Sequence, residues 1–239
     1  MSWMTPERYA TELISETTRL AGAVTRQDPG ARVAACPEWT VRDLVTHVGT
    51  GHRLASGIIE ERRDSPAPYE LIDAPASPGE WTGWLTSGAR RLTAAVDAHG
   101  FDRPVWTWQP KHQTAGFWLR RMLHDEIVHR MDAAPETAGD LAPDLAADGV
   151  ADVLLCYERI GRVDGDGETL RFAATDTGDA WHVTLTPDGI AWEPGGRPAD
   201  VTVSAPVAVL LMVLNRRCDP AAVDGDAALF ERWRAGTEF

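Results

Sequence analysis

The chain has 239 residues, a formal net charge of −13 and 44% hydrophobic residues. That length suits one large domain or two small ones, with enough apolar residues for a packed core. The negative charge makes duplex nucleic acid and anionic membrane poor partners. No run reaches the roughly 18 consecutive apolar residues of a membrane span. The opening Met1-Ser2-Trp3-Met4-Thr5-Pro6-Glu7 lacks the basic and apolar regions of a signal peptide, so a cytoplasmic protein is expected. Cys36, Cys156 and Cys218 are far apart and odd in number, which indicates neither a disulfide framework nor a zinc ribbon.

Thr5-Pro6-Glu7 has the form of an N-cap followed by proline at the first helical position. Tyr9, Leu13, Leu20 and Val24 continue at helical spacing until Asp28-Pro29-Gly30. Thr40 and Asp43 have capping-box spacing and predict a second helix from Val41. His47 lies at the edge of its apolar stripe and His52 nearer the centre, so periodicity does not choose between them. Gly49 and Gly51 weaken this helix and leave room for a backbone or ligand beside His47. Ser65 to Pro78 reads as a loop, Trp81 to Val96 as a third helix, and Phe101 to Gln113 as an aromatic-rich connection.

A fourth helix is predicted over Phe117 to Asp132, a run without Gly or Pro. Trp118, Met122, Asp125 and His129 fall at i, i+4, i+7 and i+11, an apolar seam holding a carboxylate and an imidazole. A buried carboxylate requires a partner, met either by an Asp–His hydrogen bond or by a metal ion. A mononuclear zinc site takes three protein ligands and keeps one position open. His47 on the second helix with Asp125 and His129 on the fourth would supply that set. Glu126, three residues before His129, is the alternative carboxylate, since Glu-x-x-His also chelates from one helical face. The absence of His-Glu-x-x-His disfavours a metalloprotease.

Ala134 to Asp144 reads as a linker, and a helix from about Leu145 to Arg162 follows. The pattern then changes to period 2: Leu170/Phe172/Ala174, Trp181/Val183/Leu185, Ile190/Trp192 and Val201/Val203, with a hairpin turn at Pro187-Asp188-Gly189. Pro206 opens a helix through Leu214, and Leu229 to Arg234 a short final one. The expected architecture is an all-α domain over residues 1–140 and an α+β domain over 141–239.

Cys36-Pro37-Glu38-Trp39-Thr40-Val41-Arg42-Asp43-Leu44-Val45-Thr46-His47-Val48-Gly49 resembles the opening of the mycothiol-dependent maleylpyruvate isomerase family, a branch of the DinB-like bundles. His124 to Asp132 resembles that family's second signature, and Leu145 to Val150 the start of its C-terminal domain. The resemblance covers nearly the whole chain. It implies a four-helix metal-binding bundle followed by a smaller sterol-carrier-like α+β domain. It also implies a divalent metal, zinc by preference, held by His, a carboxylate and His, with mycothiol as thiol cosubstrate. Carried over by position, the ligands are His47, Asp125 and His129. Asp125 stands where the family usually has Glu. The resemblance further assigns a cleft-facing arginine late in the C-terminal domain, whose nearest matches are Arg216 and Arg217; read alone, these form a solvated helix end. The implied activity is thiol attack on a small electrophile, as an isomerase of the maleylpyruvate type or an S-transferase, in a monomer or small homo-oligomer. The contrasting expectation is a non-catalytic protein binding a metal and an apolar ligand, its metal site closed by a fourth ligand such as His52 or His124.

Overall fold

Helix caps set the first part of the chain. In the computed structural model, which describes residues 3–237 (the side chain of Ala138 excepted), helix α1 spans Pro6–Val24. Its N-cap is Thr5, whose hydroxyl accepts from the Arg8 amide, satisfying a donor that the first turn leaves open. Helix α2 spans Val41–Glu60 and begins with a complete capping box between Thr40 and Asp43. Helix α3 spans Trp81–His99 and stops at Gly100, whose φ of 94° suits glycine. Helix α4 spans Ala115–Ala133. Helices α1 and α2 each pack against both α3 and α4, which makes a four-helix bundle with α2 and α4 as neighbours.

This half is not purely helical, contrary to its apolar periodicity. Strands β1 (Arg32–Val33) and β2 (Cys36–Thr40) pair antiparallel just before α2. The pair is too short to show alternation, and Pro37 within it argues against a strand.

The chain divides into two units, one running to Glu136 and the other from Thr137. The second unit opens with α5 (Pro143–Ile160). Strands β3 (Thr169–Ala174), β4 (Ala180–Thr186), β5 (Gly189–Pro194), β6 (Val201–Ala205) and β7 (Ala222–Gly225) form one sheet in the order β5-β4-β3-β6-β7. The β3–β6 pair is parallel and the others antiparallel. Leu170, Phe172, Trp181, Val183, Val201 and Val203 are buried, consistent with a strand period of 2. Helices α6 (Val207–Leu214) and α7 (Ala227–Gly236) pack against β6. Trp233 of α7 lies edge-on to Tyr157 of α5 at 5.6 Å, and the Tyr157 hydroxyl donates to the Leu214 carbonyl. The fold is thus a helical bundle followed by an α+β unit. No helix among the described residues is long and apolar enough to cross a membrane.

Candidate metal centre

Because α2 and α4 are neighbours, His47 and Asp125 meet across them. His47 Nε2 lies 3.1 Å from Asp125 Oδ2, and His129 Nε2 lies 3.8 Å from the same oxygen. One donor atom from each of the three residues falls within 4.8 Å of the others. Arg121, one turn before Asp125, donates from Nη2 to Asp125 Oδ1 at 2.8 Å. The other edge of His129 is also held, with Nδ1 2.9 Å from Asp132 Oδ2. A proton on Nδ1 directed at Asp132 leaves the Nε2 lone pair facing Asp125, which is how a carboxylate orients a ligating imidazole.

Charge reinforces the pairing. Burial opposes ionisation of Asp125, but the imidazoles of His47 and His129 hold its carboxyl well below the usual range. Burial likewise opposes a charge on His47, and the Asp125 carboxylate overcomes it and raises the imidazole pKa. Two imidazoles and an ionised carboxylate are a donor set that suits a divalent ion of the zinc type. The set stays accessible: the His47 and Asp125 side chains keep 30% and 22% of their exposure.

Two features lie at this site whose position beside it the sequence did not indicate. Trp39, at the end of β2, lies against both histidines, its ring 4.8 Å from that of His47 and 5.4 Å from that of His129. The capping box begins at the next residue, so the start of α2 also positions this indole. The loop of residues 65–77 runs along α2, where Thr46 and Thr50 hydroxyls accept from the Ala74 and Ile72 amides. Tyr69 in that loop has its phenol pKa raised, by burial and then by the charge of Asp125.

The neighbouring carboxylate goes elsewhere. Glu126 is fully buried; its Oε2 lies 3.2 Å from His52 Nε2 and accepts from the Thr17 hydroxyl at 2.8 Å. Arg130, four residues on along α4, does not pair with it. Arg130 is itself buried and bonds Glu16 of α1 instead. Burial pushes the Glu16 carboxyl above its usual range, although the Arg130 charge opposes this. His52 is therefore tied to Glu126, and His124 is buried; neither belongs to a metal-type donor group among the described residues. The two glycines do not open space for a ligand either. A Cβ on Gly49 would sit 1.9 Å from the Trp84 ring, and one on Gly51 would sit 2.9 Å from the Met122 sulfur. Trp106 and Trp108 pack onto Trp118 and Phe117 at the start of α4.

Arg216 and Arg217 belong to the second unit and follow α6. Arg216 takes a φ of 66°, the left-handed conformation of a helix end, and is half-buried. Its Nε and Nη2 are buried without a hydrogen-bond partner among the described residues. Arg217 donates to the Asn215 carbonyl at 2.6 Å.

Comparison with known proteins agrees with this architecture. The crystal structure of the mycothiol-dependent maleylpyruvate isomerase and that of a histidine-to-alanine mutant of it superpose with TM-scores of 0.65 and 0.70. In both cases the identity is 15%, and the match covers 92% of this chain and 93% of the other. No curated protein sequence matches the chain. Residues 10–134, more than half of the chain, match the family model described as the mycothiol maleylpyruvate isomerase N-terminal domain. The chain therefore belongs to the mycothiol maleylpyruvate isomerase family.

Proposed function

We propose that the chain is a metal-dependent enzyme that uses mycothiol as cosubstrate on a small electrophilic acid, isomerising a double bond of the maleylpyruvate kind. The observation that carries this reading is the convergence of His47, Asp125 and His129 at an accessible point between α2 and α4. Family membership supplies the thiol and the class of substrate. A divalent ion held there would supply Lewis acidity that lowers the pKa of a thiol.

The residues of the chain have separable tasks in this reading. His47, Asp125 and His129 hold the ion, and Asp125 contributes the negative charge that offsets it. Asp132 keeps the Nδ1 proton of His129 and so directs Nε2 inward. Arg121 fixes the second oxygen of Asp125. Trp39 covers one side of the two imidazoles and excludes water there. Arg216 and Arg217 are assigned to anionic groups of substrate or thiol, a role supported by the unpartnered, buried Nε and Nη2 of Arg216. The non-catalytic reading needs a closed metal sphere, and His52 and His124 do not close it.

Metal analysis followed by turnover assays tests the proposal. About one divalent ion per chain is expected, with maleylpyruvate turnover that requires both the ion and mycothiol. Full activity in thiol-free buffer, or after complete removal of metal, would overturn it. Release of the isomer identifies the isomerase; accumulation of a thioether adduct identifies an S-transferase at the same site.

A further inference from the structure

A second set of donors stands on the far edge of His129. Cys36, on β2, directs its thiol at Asp132 Oδ2 across 3.7 Å. Asp132 Oδ2 is also 2.9 Å from His129 Nδ1. One donor atom each from Cys36, His129 and Asp132 lies within 4.8 Å of the other two. His129 and Asp132 are one turn apart on α4, while Cys36 comes from the hairpin that the Thr40–Asp43 capping box ties to α2. Two separately anchored elements thus bring sulfur, nitrogen and oxygen together. His129 and Asp132 are buried, whereas Cys36 is half-buried, which leaves an approach from its side.

We propose that Cys36, His129 Nδ1 and Asp132 form a second cation position, selective for thiophilic divalent ions, which competes with the His47/Asp125/His129 position for His129. Thiolate, imidazole and carboxylate together favour borderline and soft cations over magnesium or calcium. Binding releases the Cys36 thiol proton to solvent. It also requires the Nδ1 lone pair of His129, so the ring proton moves through solvent from Nδ1 to Nε2. A neutral imidazole has one free lone pair. Once Nδ1 is a ligand, Nε2 carries the proton and cannot serve the position beside Asp125. Occupation by a thiophilic ion therefore removes one of the three ligands of the other position. The proposal shares His129 with the function proposed above, but it stands whether or not that centre is catalytic.

The test uses Cd²⁺ alone as probe, on the full chain with Cys218→Ser to remove the exposed thiol. A thiolate-to-cadmium charge-transfer band is expected to saturate near one equivalent, to vanish in Cys36→Ser and to persist in His47→Ala. Asp132→Asn should weaken Cd²⁺ binding by about tenfold or more, the scale of an altered ligand environment. A readout independent of folding variants is alkylation of Cys36 followed by mass spectrometry, which Cd²⁺ should slow at least severalfold. A band that survives Cys36→Ser would overturn the proposal. So would its loss in His47→Ala, which would make Cys36 a ligand of the first position rather than of a second one. Alkylation of Cys36 at the same rate with and without Cd²⁺ would overturn it as well. Absence of metal-dependent turnover would count against the proposed function and leave these outcomes unaffected.

Discussion

Asp125 and Glu126 are adjacent on α4, each pairs with a histidine of α2, and their surroundings differ in kind. Asp125 meets His47 with 22% and 30% of the side chains exposed; Glu126 meets His52 with 0% and 1%. Around Asp125 the partners are His129, Arg121 and, through His129, Asp132. Around Glu126 they are Thr17 and His52, with the Glu16–Arg130 pair one turn further along the bundle. The first cluster gathers three donors of metal type at an accessible point. The second joins α1, α2 and α4 inside the core. The lesson is that a carboxylate–histidine pair is not by itself a site. Access and a third convergent donor distinguish ligand chemistry from a buried polar network.

The contrast can be broken most severely from the buried side. Arg130→Met removes the cation that pairs Glu16 and should cost about 3–5 kcal/mol, as expected when one partner of a buried ion pair is lost. Denaturant unfolding measures this, and metal per folded chain should not change. Glu126→Ala leaves the His52 ring without its partner inside the core, while the Thr17 hydroxyl keeps the Leu13 carbonyl as acceptor. It should cost about 1–3 kcal/mol, again with the metal content of the folded fraction preserved. Asp125→Ala, by comparison, removes a partly exposed pair and should lower unfolding free energy by less than Arg130→Met does.

How much of this was legible depended on the range of the interaction. Local rules placed the helices: Thr5 and Thr40 mark two starts, and the change from period 3.6 to period 2 separates the bundle from the sheet. The β1–β2 hairpin escaped because Pro37 and its short length hide any alternation, and β7 because Ala222–Gly225 is a four-residue edge strand without an apolar pattern. On α2, periodicity left His47 and His52 equivalent because either can face α4, and the family resemblance alone favoured His47. Their partners are 78 and 74 residues away, and only packing assigns one acid to each. Arg130 shows the same limit. Glu126 stands four residues before it, at the spacing that pairs charges on a helix, yet Arg130 bonds Glu16, 114 residues away in sequence. The position of Trp39 beside the site was not indicated, since nothing local says that an indole before a helix cap covers two imidazoles across the bundle.

The smallest expected effect lies in the second unit and gives a surface reference for the buried pairs. Glu168 accepts from Arg232 and from the Asp166 amide, and these hydrogen bonds hold its carboxyl down at about 2. A depressed carboxyl contributes stability above its unfolded pKa, about 4.3 for Glu. That contribution fades as pH falls toward about 2. Glu168→Gln should therefore lower the unfolding midpoint slightly near neutrality, and the difference from the unaltered chain should close as pH falls toward about 2, as acid titration of thermal unfolding would show.

The central claim is that Asp125, not Glu126, holds a metal ion with His47 and His129. Bound metal per folded chain, measured side by side in Asp125→Ala and Glu126→Ala after equilibration with a limiting divalent ion, tests it most directly. Asp125→Ala should lose metal, with affinity down by more than about 100-fold, since deleting a ligand exceeds the effect of deleting a supporting group. Glu126→Ala should retain it despite lower stability. Retention of metal by Asp125→Ala together with an empty site in Glu126→Ala would contradict the account.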